Sequence, residues 1–477
     1  MHRKIGVPLR IKAVRYLATV AIAVAALLTP TAASAETTAT TQEVALAGQA
    51  EPRPPQRPFT PPKFRPQPES TKSQDSSCAD VKRSLKSIRE AGQRKAICFE
   101  WETPAEFIET LRESGNSAAI SKIENSVWCD EQAENSVYVT RTSICSRRGV
   151  IVVLVDTMTG IVLGKAYGAV EQQIDTSNTS TTFDEHFHFE LLAADVGTAG
   201  MTAEIDAVCS LDTSCRQGSG PWGDVPTPVS IGVPLEGTWQ RTWTGDRGHK
   251  EFIIDYDLTI RLGGYDGYTG WGGNLEPGDG LYKVRCDNEI GASAGCVVPA
   301  FAPTFTVNFE KYPAASDYID DAQAYIKTHP GDESHSKGTP LHRESDTAIA
   351  KKNRDKVCDS TFVAEDKFNG AYEIQCDEYP FAATKESGGQ LGITSGKECK
   401  QFVIHPGYVE FYPHTPHSML SYQPSGTANC ARASMPKHEN EGVGGDLGRF
   451  AVSTRLLEDD AYWVNAASWS EMCGCIS

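Results

Sequence analysis

Fourteen cysteines, all lying beyond a leader-like N-terminus, constrain this chain more than any other feature. The opening is basic: Arg3, Lys4, Arg10, Lys12 and Arg15 precede an apolar run from Tyr16 to Leu28, and Ala33-Ser34-Ala35 ends it in small residues. That is the layout of a secretory signal peptide cut after Ala35. An even cysteine count in an oxidising compartment predicts disulfides. Cys209 with Cys215 and Cys286 with Cys296 are spaced as local clips, whereas Cys473 and Cys475 are too close to bridge each other easily. A zinc cluster is the weaker reading, because no two Cys-x-x-Cys knuckles occur. No later stretch is apolar enough to span a bilayer. The expectation is a secreted, extracellular protein without a membrane span.

The formal charge is −17, and the leader carries five of the basic residues, so the remainder is more acidic still. An overall field of that sign does not attract polyanions. It counts against a high-affinity nucleic-acid binder that works through bulk charge, but not against an enzyme whose local site holds a cation. Residues 36–77 are rich in proline, as in Pro54-Pro55 and Pro61-Pro62, and read as an extended linker without a core.

Residues 78–300 begin with a helical segment, Val81 to Ala91, and then turn strand-like. Runs at 136–142, 150–155 and 252–260 are β-branched and aromatic, and Gly, Asn, Asp and Pro separate them. Such spacing predicts an antiparallel sandwich or barrel. Trp222, Trp239, Trp243 and Trp271 fall in this half, a set that is more often core than a stacking surface. His186 and His188 would share a strand face, which suits a metal but is commoner as plain strand surface. Asp246-Arg247-Gly248-His249 resembles the signature of the DNA/RNA non-specific endonucleases. The helix that should follow is replaced by turn residues around Gly263-Gly264, so the segment reads as a hairpin loop.

Past residue 300 helical periodicity appears at 315–326, with Ser316 or Asp317 as its cap. A short strand at 338–343, a basic polar segment, and a strand ending at Cys376 follow. Pro380 then opens a run to Gly389 that reads as a one- to two-turn helix. Asp377 and Glu378 would sit at this strand-to-helix junction, either as metal ligands or as simple complements to the helix dipole. Hydrolysis of a phosphodiester needs a base for water, a cation for developing charge, and a positive grip on phosphate. His342 is the natural base. Glu378 is the chosen metal ligand, with Asp377 as partner. Arg343, on the other strand face, and the rim of Lys351, Lys352 and Arg354 are the candidates for phosphate. His335, His414 and His417 are weaker candidates, and no Gly-x-Ser-x-Gly elbow is present.

Three segments in order, Gly338-Thr-Pro-Leu-His342-Arg343, Ile374-Gln-Cys-Asp-Glu-Tyr-Pro-Phe-Ala382 and Glu439-Asn440-Glu-Gly-Val-Gly-Gly445, resemble the NucA/NucB-type secreted bacterial deoxyribonucleases over roughly residues 310–470. The resemblance implies a compact ββα-metal fold and a divalent-metal-dependent endonuclease of DNA with little sequence specificity. It implies that Glu378 holds the metal, Mg²⁺ or Mn²⁺, and that Asn440, in a Gly-rich turn before a helix at 447–457, helps to build the site. Short members carry Asp at the position of His342, which leaves the general base open. The expected fold class is therefore α+β, with a disulfide-clipped β-rich domain (78–300) and a nuclease domain (301–477). Two rivals stand beside a DNA-degrading enzyme. One is a secreted toxin whose β-rich domain binds a receptor or an inhibitor; the other is a non-enzymatic carbohydrate- or surface-binding protein.

Overall fold

A computed structural model describes residues 78–467, apart from 103, 125–136, 196–199, 211–214, 218–225, 246, 263–264, 272–282 and 408–415. The leader, the linker, His414, Cys473 and Cys475 lie outside the described residues, as do the side chains of Cys209, Cys215, Trp222 and Trp271. The architecture is mixed α+β and sheet-rich, with several disulfides. Among the described residues no helix is long and apolar enough to cross a membrane.

The β-branched runs form long antiparallel strands. Ser143–Asp156, Val162–Ser177 and Ser180–Ala194 make a meander, flanked by Lys95–Glu102 and Leu235–Trp243. A second sheet is built around His249–Leu262, paired with Met201–Ser210, Tyr265–Trp271 and Val284–Asp287. Successive strand residues point to opposite faces. Val150, Val152 and Phe187 therefore meet Phe252, Leu258 and Ile260 of the second sheet in one core. Ile151, Val153 and Val155 face the other way, under Val81, Phe107 and Leu111 of the helices Cys78–Glu90 and Pro104–Glu113. The result is two facing sheets with a helical layer on one side.

This packing settles several sequence features. Trp239 and Trp243 are 1% and 2% exposed, so they belong to the core and offer no stacking surface. The turn through Arg247 and Gly248 carries the chain from the first sheet to the second, so it is an inter-sheet crossing and not a hairpin loop. Its Gly248 has φ +79°, a conformation glycine adopts without strain. His186 Nδ1 meets Thr238 Oγ1 at 2.9 Å, and His188 lies between Glu190 and Glu236. Cys286 and Cys296 are bridged as their spacing predicts, and Cys78–Cys98, Cys358–Cys376 and Cys399–Cys430 are bridged as well.

A separate core forms beyond residue 300, from Tyr318, Ile319, Phe402, Ile404, Ala433, Met435 and Tyr462. Its four-stranded sheet runs in the order Ile374–Tyr379, Ala431–Pro436, Lys400–His405, His417–Tyr422. A smaller sheet joins Thr304–Thr306, Ala461–Asn465 and Leu341–His342. The helix expected at 315–326 spans Pro313–Tyr325, with Tyr312 at the cap position. Proline suits the first turn, where its missing N–H is not needed. Ser316 and Asp317 are thus inside the helix; they bond the Ala467 and Ser418 backbone rather than cap it.

A buried ion cluster joins the two cores. Arg141 and Arg285, from the β-rich half, both reach the Asp460 carboxylate, at 2.8 and 2.6 Å. Both also donate to the Arg455 carbonyl, at 2.9 and 2.6 Å. Arg455 in turn reaches back to Asp287, donating from Nε at 2.9 Å. Burial raises the pKa of Asp460, but Arg285 and Arg141 more than offset it and hold the carboxyl below its usual range. A depressed acid contributes stability above its unfolded pKa of about 4, and that contribution is lost as pH falls through the folded value. Removing one partner of a buried pair leaves charge uncompensated, so Asp460→Ala should cost about 3–5 kcal/mol in a denaturant titration. A loss under 1 kcal/mol would show that the cluster does not hold the halves together.

Candidate active site

Asp377 and Glu378 lie on the strand Ile374–Tyr379, at the edge of the four-stranded sheet, opposite Ala433 and Arg432 of the neighbouring strand. They are not at a strand-to-helix junction. The run from Pro380 to Gly389 is a series of turns, because its backbone is engaged elsewhere. The Ala383 carbonyl accepts from Glu344 N–H, Lys385 N–H donates to the His342 carbonyl, and Asn353 Nδ2 donates to the Ala382 carbonyl.

Adjacent strand residues face opposite ways, and the two carboxylates accordingly meet different neighbours. Glu378 shares a face with Cys376. The basic segment is a helix, Thr347–Val357, capped by Asp346, and its C-terminal end is pinned to the strand by Cys358–Cys376. Arg354, one helical turn before Cys358, donates to Glu378 Oε1 at 3.1 Å. Glu378 is buried while Arg354 remains 62% exposed. Asp377 lies towards Tyr318 and Glu439, and its Oδ1 accepts from the Glu378 N–H. Burial and the neighbouring Glu378 charge push the Asp377 carboxyl up to about 8. Burial also raises Glu378, against the pull of Arg354, and raises Glu439.

His342 sits on the short strand Leu341–His342. Glu386, in the loop after the carboxylate strand, grips it twice: Oε2 accepts from the His342 N–H at 2.8 Å, and Oε1 faces Nδ1 at 2.8 Å. In the neutral ring, a carboxylate at Nδ1 places the proton there and leaves a lone pair on Nε2. Both His342 and Glu378 are therefore tied to the loop Pro380–Gln390, Glu378 through the Ala382 N–H. No hydrogen bond or ion pair among the described residues joins the two directly.

The other candidates separate. Arg343 points away from His342, and its Nη1 donates to the Leu456 carbonyl at 2.6 Å. Lys351 pairs with Asp355 on its own helix, and Lys352 is exposed. Asn440 is in the first turn of a helix, Lys437–Ser453, and not in a turn preceding one. Its Nδ2 donates to Gln375 Oε1 and the Cys376 carbonyl, at 3.1 and 3.4 Å. His335 stacks on His329, and His417 on His405. Three participants escaped the sequence reading. Tyr318 lies inside the helix expected at 315–326, Glu386 in a run expected to be helix, and Glu439 beside Asn440 in a segment expected to be a turn.

The donors near Asp377 and Glu378 are oxygens, the kind a hard divalent cation takes. Arg354 is the cation facing Glu378, and Asp377 is left close to Glu378 and Glu439. Among the described residues no three His, Cys, Asp or Glu side chains converge as a ready-made cage. Mg²⁺ commonly takes one or two carboxylates and completes its shell with water and substrate phosphate. The residues present fit that mode.

No protein-family model matches the chain, and no curated protein matches it. Among solved structures, the chain is similar to the Vibrio cholerae VesB protease at 10% identity and a TM-score of 0.14, over 33% of this chain and 53% of that one. The match thus spans about half of the protease, and a likeness so slight carries no argument about fold or activity.

The carboxyl of Asp377 is raised, so it favours folding below its unfolded pKa near 4 and that advantage is lost as pH rises through about 8. Asp377→Asn removes the buried like charge. In metal-free buffer it should stabilise the fold by on the order of 1–3 kcal/mol at pH 8.5 and by less at pH 5. Thermal melts at the two pH values check this, and a destabilised variant at pH 8.5 would contradict it.

Proposed function

We propose that this protein is a secreted, divalent-metal-dependent endonuclease that hydrolyses phosphodiester bonds of DNA with little sequence specificity. The observation that carries the reading is the pairing of two devices on one loop. A buried Asp377–Glu378 pair opens the loop, and a carboxylate-oriented histidine, His342 with Glu386, closes it. The resemblance of the three C-terminal segments points the same way.

His342 Nε2 accepts a proton from the attacking water, while Glu386 fixes the ring and stabilises the imidazolium that forms. Glu378 would hold Mg²⁺ or Mn²⁺, which supplies charge neutralisation at the phosphate when bound, while Asp377, on the other strand face beside Glu439, adds negative charge and not a second ligand to the same ion. Asn440 steadies the carboxylate strand from the Cys376 carbonyl. Arg354 is exposed and lies beside Glu378, so it can exchange that carboxylate for a phosphate oxygen; Lys352 extends the positive rim. Arg343, spent on a backbone carbonyl, orients the His342 strand instead.

Plasmid nicking by the purified protein with Mg²⁺ or Mn²⁺, stopped by EDTA, is the expected result. His342→Ala should lower the rate by about 10²–10⁴-fold, the usual worth of a positioned base. Glu378→Gln should abolish cleavage in a protein that still folds, and it should also erase the rise in melting temperature that the metal gives the parent. Near-parental cleavage by Glu378→Gln with metal present would refute the assignment.

A further inference from the structure

A cavity of about 350 Å³ opens at the N-terminal end of the carboxylate strand, where the helix Lys437–Ser453 begins. Its wall includes Lys311, Phe368, Tyr372, Pro436, His438 and Glu439. The aromatic groups form one continuous patch. Phe368 meets Tyr372 edge-on with centroids 5.1 Å apart, and Tyr372 meets the His438 ring at 5.0 Å. Tyr372 is 46% exposed and the His438 side chain 58%. Lys311 supplies a cation at the mouth, near Asp446 at 3.6 Å.

Glu439 is 3% exposed and joins this cavity to the carboxylate pair. Its Oε2 accepts from the Ala315 N–H at 3.0 Å, and its charge acts on Asp377. The backbone makes the same connection, because Lys437 N–H donates to the Glu373 carbonyl between Tyr372 and the carboxylate strand. A ligand in the cavity would therefore touch the segment that leads into the carboxylate strand and the helix whose Glu439 acts on Asp377.

We propose that the cavity is a base-binding subsite, in which one unstacked nucleobase of the strand being cut lies against the Tyr372–His438 patch, with Lys311 beside its phosphate. The proposal rests on the nuclease reading above. Flat aromatic faces accept any base, and such stacking is worth roughly 1–3 kcal/mol per base. That suits an enzyme without sequence preference. The volume admits one base or nucleotide, not a duplex. Single-stranded or frayed DNA is accordingly the favoured substrate form.

The test uses the full mature protein with Mg²⁺ and a single-stranded oligonucleotide, alongside the same oligonucleotide carrying abasic positions next to the cleavage point. Tyr372→Ala should raise KM for the intact strand by roughly 5–100-fold with kcat little changed. It should leave KM for the abasic strand unaltered, and Tyr372→Phe should restore the parental value. Cleavage that is equally sensitive to Tyr372→Ala on both strands, or insensitive on both, overturns the subsite while leaving the nuclease reading intact. Absence of cleavage by the parent overturns both. Tighter binding of a proline-rich peptide or an oligosaccharide than of the oligonucleotide, lost in Tyr372→Ala, also overturns it.

Discussion

The Asp460 carboxylate, shared by Arg141 and Arg285, is the interaction on which the arrangement of this protein most depends. Its place in the chain explains why. Residues 454–460 connect the helix Lys437–Ser453 to the strand Ala461–Asn465, and on one side they receive the arginines of the β-rich half. On the other side the same few residues hold the His342 strand. Arg343 N–H donates to the Asp460 carbonyl, Asp459 N–H donates to the Arg343 carbonyl, and Glu458 accepts from Ser345. The two large cores do not merge; they are fastened to opposite sides of one short segment.

The candidate site follows from a second fastening. Cys358–Cys376 fixes the end of the basic helix against the carboxylate strand. The same geometry that brings those sulfurs together brings Arg354, four residues earlier, over Glu378, two residues later. Two buried acids against one exposed guanidinium is a poor electrostatic balance for a structural element. Carboxyls perturbed in this way cluster at functional sites.

The fold was legible where local pattern and tertiary packing agree. The β-branched runs at 150–155 and 252–260, the first helix and the Cys286–Cys296 clip were read from spacing alone. The misreadings share a cause, which is that long-range contacts decided the backbone. Pro380–Gly389 has helical composition, but its polar groups pair with the His342 strand and Asn353, leaving no ladder of its own. Gly442-Val-Gly-Gly reads as a turn, yet it lies within a helix packed so closely on Tyr312 that a Cβ at Gly442 would come within 2.3 Å of the ring. Glycine is there for approach, not for a bend. Of the candidate site, His342, Asp377 and Glu378 are proposed from residue type and order, and Asn440 from the resemblance. Glu386 carried no local mark, since its role exists only once the loop folds back.

The shared segment also bears on how such a chain can change over generations. A recombination event that exchanged the β-rich half at residue 300 would leave Asp460 and Arg455 facing a surface without Arg141, Arg285 or Asp287. Asp460 and Arg455 would then be unmatched charges at the new junction. The halves are in that sense co-inherited: variation at either side of the cluster has to be answered across it, and each half can diversify freely only away from the clasp.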